Sequence, residues 1–170
     1  MNVPVDQTPE VSVVVVDETD SVGDTARWAD LVGAVLIAEG VRGPAETNVC
    51  FVDVDTMREL NATHMGGEGA TDVLSFPIDT EDLDVSAAAP GDLRMVGDIV
   101  VCPEVAAAQA AGHAGSFEDE VALLLVHGSL HLLGHDHALD DERAAMWCAG
   151  RQPLDAAWGP LADDPWSEPA

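Results

Sequence analysis

The chain predicts an α+β (mixed α/β) fold: a small mixed sheet of about four strands with helices packed on it. Three observations lead there. Four short runs, Val11–Val16, Thr47–Val54, Asp72–Phe76 and Met95–Val101, have the length and composition of strands. Helical spacings fall between them irregularly, not in the strict alternation of a doubly wound protein. One run, Val121-Ala122-Leu123-Leu124-Leu125-Val126, is apolar on every side, as expected of a helix buried in a core. A length of 170 residues suits one domain with an adequate core. We set that domain at residues 1–152, with a Pro-rich C-terminal tail at 153–170.

Each element has its own signal. Residues 1–9 read as a polar lead-in, and Val11–Val16 is a β-branched strand. Thr25–Glu39 carries Trp28, Leu31, Val32, Val35 and Leu36 at helical spacing, and Gly40 ends it. After the second strand, Asp55 caps a helix reaching about His64, broken by Met65-Gly66-Gly67. The strand Asp72–Phe76 is stopped by Pro77, and Thr80–Asp92, with its acids and Pro90-Gly91, reads as an exposed loop. Pro103 sits at the first position of an alanine-rich helix ending near Gly112, which reads as packing material. Ser116 and Asp119 form a capping box at the start of the buried helix, and Gly134 ends it. Asp140–Cys148 is the final helix. No internal repeat is present.

The buried helix carries the chemistry. His127 and His131, four residues apart, share one face, and Gly134 allows a left-handed turn that brings His137 back toward them. An isolated imidazole on an apolar helix is ordinarily a hydrogen-bonded core residue. Two on one apolar stripe would each need a buried partner, and one divalent ion satisfies both at once. His137 completes a facial set of three, and three nitrogen ligands leave a fourth position for water, the mark of a catalytic zinc site. The expected metal ligands are therefore His127, His131 and His137, holding one Zn2+ ion per chain. Asp136 reads either as a group orienting a ligand imidazole or as a solvated turn residue. The spacing is shared with metzincin proteases, whose general-base glutamate follows the first histidine. Gly128 stands there instead, which counts against a zinc peptidase. A glycine inside a helix costs about 1 kcal/mol relative to alanine, so it should serve close approach of a strand or substrate.

Charge and cysteines bound the setting. The chain has 32 acidic residues against six arginines and no lysine, a net of −26. The acids are spread along the chain, as on a surface that stays soluble at high ionic strength. Taken alone, that balance argues against nucleic acid. Cys50, Cys102 and Cys148 are odd in number and far apart, and read as reduced thiols of a cytoplasmic protein. The N-terminus lacks the pattern of a signal peptide, and no apolar run approaches the ~20 residues of a membrane span.

Three segments carry a resemblance. Thr71-Asp72-Val73-Leu74-Ser75-Phe76-Pro77, then Gly97-Asp98-Ile99, then His127-Gly128-Ser129-Leu130-His131-Leu132-Leu133-Gly134-His135-Asp136-His137 occur in the order seen in the bacterial YbeY family, which this chain resembles over roughly residues 45–147. The resemblance implies a single-strand-specific, zinc-dependent endoribonuclease acting in late ribosomal RNA (16S 3′ end) maturation and ribosome quality control. It also implies ribosomal RNA and the small ribosomal subunit as partners, no membrane, and a metal held by His127, His131 and His137.

The family comparison bears on other residues too. His135 stands where relatives commonly carry an aromatic residue, and reads as a filler, not a ligand. Met65 stands where many relatives place an arginine, so Arg58 or Arg94 would have to supply any phosphate contact. Gln152 lies near the place of a glutamate frequent in relatives. Weak catalytic candidates are Ser75, a strand-surface hydroxyl or a phosphate contact; Asp72, a strand-cap aspartate or a group near the metal; and Asp98, a structural acceptor or a catalytic group. His64 and His113 read as ordinary surface or loop residues. Zinc lowers the pKa of bound water toward ~7 and polarises a phosphoryl oxygen, so no carboxylate base is required. The remaining alternatives are a zinc peptidase and a non-catalytic ribosome-assembly factor.

Overall fold

A computed structural model describes residues 11–78, 93–136 and 138–165. Nine elements follow one another: β1 (Val11–Asp17), α1 (Thr25–Ala38), β2 (Ala45–Phe51), α2 (Val54–Met65), β3 (Val73–Pro77), β4 (Arg94–Val101), α3 (Pro103–Ala110), α4 (Phe117–Leu132) and α5 (Asp140–Ala157). The expected α+β class is what is observed. Four strands form one sheet in the order β1-β2-β4-β3. β1, β2 and β4 run parallel, and β3 is antiparallel to β4, pairing Ser75 with Ile99 and Phe76 with Asp98.

Helix α4 is the hub. It packs against β3, β4, α1, α3 and α5, and the residues from Glu120 through Val126 are all buried. The largest buried cluster joins α1 (Trp28, Leu31, Val32, Val35), the sheet (Val49, Ile99, Val101) and α4 (Val121, Leu125, Leu130). A smaller cluster on the opposite sheet face holds Met57 of α2 with Leu74, Val100 and Cys102. Because side chains alternate along a strand, Ile99 and Ser75 face α4, whereas Asp98, Leu74 and Phe76 face the other way.

Helix ends follow local chemistry. The Ser116 hydroxyl accepts from the Asp119 amide at 3.2 Å, so the expected cap is present. The Asp119 carboxylate does not complete a box; it accepts from the Trp158 indole at 2.8 Å and the Ala162 amide at 2.7 Å. The cap of α2 is Asp53, not Asp55: its carboxylate accepts from the Thr56 amide at 2.8 Å, and that bond holds its pKa below the ordinary aspartate value. At the other end of α4, Gly134 has φ +91°. Its amide donates to the His131 carbonyl and the His135 amide to the Leu130 carbonyl, both at 3.1 Å. This is the Schellman pattern, satisfying carbonyls that the helix end would leave bare.

The final helix corrects the expected boundary. α5 continues past Cys148 to Ala157 with Pro153 inside it, so a tail does not begin at residue 153. Pro153 is buried and Leu154 is 1% exposed. Trp158, just beyond, stacks on Trp28 with ring centroids 5.0 Å apart. Proline removes one amide from the helix ladder, and here the apolar packing around it outweighs that loss. The expected loop at Thr80–Asp92 lies outside the described residues. No helix among the described residues is long and apolar enough to cross a membrane.

Candidate active site

His127 and His131 project from one face of α4, as four-residue spacing requires. Their Nε2 atoms stand 2.9 Å apart, with ring centroids at 4.5 Å and planes crossed at 75°. His131 Nδ1 lies 2.9 Å from the His135 carbonyl oxygen. A carbonyl only accepts, so His131 Nδ1 donates to it, and Nε2 is the ring atom that faces His127. Locking one ring nitrogen onto a carbonyl so that the other is left basic is how protein imidazoles are prepared for a metal. Two nitrogens on one tetrahedral zinc at 2.0–2.1 Å stand about 3.3 Å apart, close to the separation seen, so the pair fits two neighbouring positions on one ion. The third expected ligand, His137, lies outside the described residues. Among those residues, no three His, Cys, Asp or Glu side chains gather into a metal-binding group.

The turn that supplies this carbonyl is itself anchored. His135 Nε2 lies 2.8 Å from Glu39 Oε2, and Glu39 is the C-terminal cap residue of α1. His135 is therefore a clasp between the site and α1. Asp136, next in the turn, is solvent-exposed.

Gly128 is explained by the strand. A Cβ there would stand 2.9 Å from Ile99 Cγ2, 3.2 Å from Ser75 Oγ and 3.3 Å from Val73 Cγ2. The helix lies so close to β3 and β4 that the place of a peptidase glutamate has no room for a side chain. The same approach lets the Ser75 hydroxyl donate to the Gly128 carbonyl at 2.9 Å. Sequence reasoning allowed a strand or a substrate here, and the strand is what fills it.

The histidines look onto two hollows. One, of about 420 Å3, is lined by both histidines with Met65, Thr71, Asp72 and Ser75. The other, of about 330 Å3, shares His127, Asp72 and Val73 with the first and adds His113, Arg143 and Trp147. Ser75 and Asp72 thus join the site. Asp98 does not: on the far sheet face, its carboxylate accepts from Asn48 Nδ2 at 3.0 Å, the structural reading. Neither Arg58 nor Arg94 lines these hollows; Arg58 pairs with Asp55 at 3.1 Å on the surface of α2.

Beneath Asp72 lies a polar chain that sequence reasoning missed. Glu120, 0% exposed, accepts from Gln109 Nε2 at 2.8 Å and the Ala114 amide at 3.1 Å, and its carboxylate lies 2.9 Å from His113 Nδ1. The same Gln109 Nε2 donates to Asp72 Oδ2 at 2.9 Å, while Asp72 Oδ1 accepts from the Val73 amide at 2.7 Å. His113 lies on the exposed turn after α3, as expected of a surface or loop residue, but it also partners a buried acid, and α3 is more than packing. His64 lies edge-on to Phe76 with centroids 5.2 Å apart. One signal was available: Glu120 is seven residues, two helical turns, before His127 and so shares its stripe.

Fold and site together define an α+β protein with a histidine-centred cleft suited to hydrolytic chemistry. Residues 15–157 match the endoribonuclease YbeY family, and the chain belongs to that family. A Salinispora tropica protein named Endoribonuclease YbeY is 46% identical over 145 residues, covering 83% of this chain and 88% of that protein. A Thermobifida fusca protein of the same name is 42% identical over 153 residues, 87% of this chain and 94% of its own length. Among solved structures, this chain is similar to the solution structure of a Thermotoga maritima protein, with a TM-score of 0.57 and 28% identity over 86% of this chain and 89% of that one.

Proposed function

We propose that this protein is a single-strand-specific, zinc-dependent endoribonuclease of the cytoplasm, acting on ribosomal RNA late in maturation at the 16S 3′ end, with the small ribosomal subunit as its partner. The observation that carries the reading is the imidazole pair, ordered by a carbonyl and opening onto a hollow that also holds Asp72 and Ser75. The names of the relatives support it.

A divalent ion held by His127, His131 and His137 would supply Lewis acidity toward a phosphoryl oxygen. The chain's own residues do the rest. The His135 carbonyl fixes the His131 ring, so no reorganisation is needed when substrate arrives. The Ser75 hydrogen is committed to Gly128, which leaves the oxygen's lone pairs toward the hollow and makes Ser75 an acceptor for a ribose hydroxyl. Asp72, with one oxygen bound by Val73 and the other by Gln109, is held in place at the edge of the hollow. The anionic surface opposes RNA at low salt, so docking relies on screening or on a partner that supplies positive charge.

The test is cleavage of an end-labelled single-stranded RNA, with the matching duplex and casein as comparison substrates. The expected result is cutting of the single strand alone, abolished by a chelator, restored by Zn2+ and absent from His131→Ala. Retained cutting by His131→Ala overturns the reading, and casein digestion would favour a peptidase.

A further inference from the structure

A third hollow, of about 920 Å3, runs along α5 and shares Arg143 and Trp147 with the hollow that holds His127. Arg143 and Trp147 border both, so the three hollows adjoin in a row, a trough from the histidine pair past Trp147 to Arg151. We propose that this trough is a binding site for single-stranded RNA, in which the Trp147 indole stacks a base and the Arg143 guanidinium takes a backbone phosphate. The proposal rests on the endoribonuclease reading and adds where the strand lies.

Charge favours this path over the rest of the surface. The chain has six arginines to set against 32 acids, and two of the six line this trough. Asp72, Asp140 and Asp155 line it too, so two arginines face three acids there, a smaller excess than on a molecule of net charge −26. The two arginines differ in what they can give. Arg151 is clasped by both oxygens of Asp164 and serves to hold the chain beyond α5. Arg143 meets Asp140 at 3.7 Å in a pair whose side chains are 46% and 97% exposed. Such a loose surface pair contributes little and yields readily to a phosphate. One α-helical turn places Trp147 on the same face as Arg143. An aromatic face beside a guanidinium is the general means of holding an unpaired strand, because every base has a π-face.

The experiment measures binding of a fluorescein-labelled single-stranded oligoribonucleotide to the full-length protein by anisotropy, in chelator and across a salt series, with cleavage of the same RNA in Zn2+ run alongside. Trp147→Leu keeps apolar bulk and loses the stacking face; Trp147→Phe keeps both. The expected result is about tenfold weaker binding for Trp147→Leu and recovery in Trp147→Phe. For Arg143→Gln, the slope of log K against log salt should become less negative than wild type by about 0.7. Arg42→Gln, the same charge change at a residue that lines none of the three hollows, should leave the slope alone. If wild type cuts RNA but Trp147→Leu and Arg143→Gln bind and cut as it does, the trough is overturned and the endoribonuclease reading stands. If wild type neither binds nor cuts, both fall. Binding that follows Trp147 without cutting upholds the trough and overturns the reading.

Discussion

Two residues on α4 show how a single position decides the site. Gly128 sits where any side chain would press on Ile99, Ser75 and Val73. Alanine would gain about 1 kcal/mol in helix propensity, yet overpacking against a β-branched residue costs typically 1–3 kcal/mol. The balance is a net cost of up to about 2 kcal/mol, so Gly128→Ala should lower the melting temperature by up to about 8 °C, and differential scanning calorimetry checks the sign. Glu120 is the second case. Its carboxylate satisfies the Gln109 amide and the Ala114 amide inside the core, and removing it strands both donors. Glu120→Ala should cost about 3 kcal/mol, whereas Glu118→Ala, at an exposed position of the same turn, should stay within about 0.5 kcal/mol. Urea titrations of the two variants compare them directly.

Among the elements, the strands and the starts of α3 and α4 were legible because short β-branched runs, Pro103 and Ser116 report on their own neighbourhoods, whereas the cap of α2 was set two residues late. The two imidazoles on one face of α4 were legible for the same reason, as was the closing turn at Gly134. What could not be read was non-local. The end of α5 was misplaced because Pro153 signals a break, while Leu154 and Trp158 hold the helix through contacts with α1 that no local pattern records. Glu120 was passed over because an acid in a helix's first turn ordinarily faces water, and its partner Gln109 belongs to another helix. Asp98 and Ile99 are neighbours in sequence, and only the strand pairing shows that they face opposite sides. These placements lead to two expectations. A chain truncated after Gln152 loses buried Leu154 and the Trp28–Trp158 stack, and should be destabilised by more than about 3 kcal/mol in urea. Glu39→Ala releases the His135 clasp and should weaken Zn2+ affinity about tenfold, read by competition with a chromophoric chelator, while changing the melting temperature by less than about 3 °C.

For the molecule as a whole, the dominant quantity is net charge. A net of −26 on 170 residues sets the folded surface against itself, and salt relieves that repulsion by shortening its range from about 10 Å at 0.1 M to about 3 Å at 1 M. The melting temperature should rise by about 5 °C or more between 0.1 M and 2 M KCl. A flat or falling profile would mean that the acids do not repel one another appreciably. The hydrogen bond between His135 and Glu39 spans 96 positions along the chain and has a consequence in time. The ring that faces His127 is aimed by a loop whose anchor is synthesised among the first forty residues, while the loop itself follows only after most of the polypeptide has been made. A chain partway through translation therefore carries the anchor without the histidines, and a proteolytic fragment without the first helix carries the histidines without their alignment. The alignment is complete only when both the early helix and the late turn have been made.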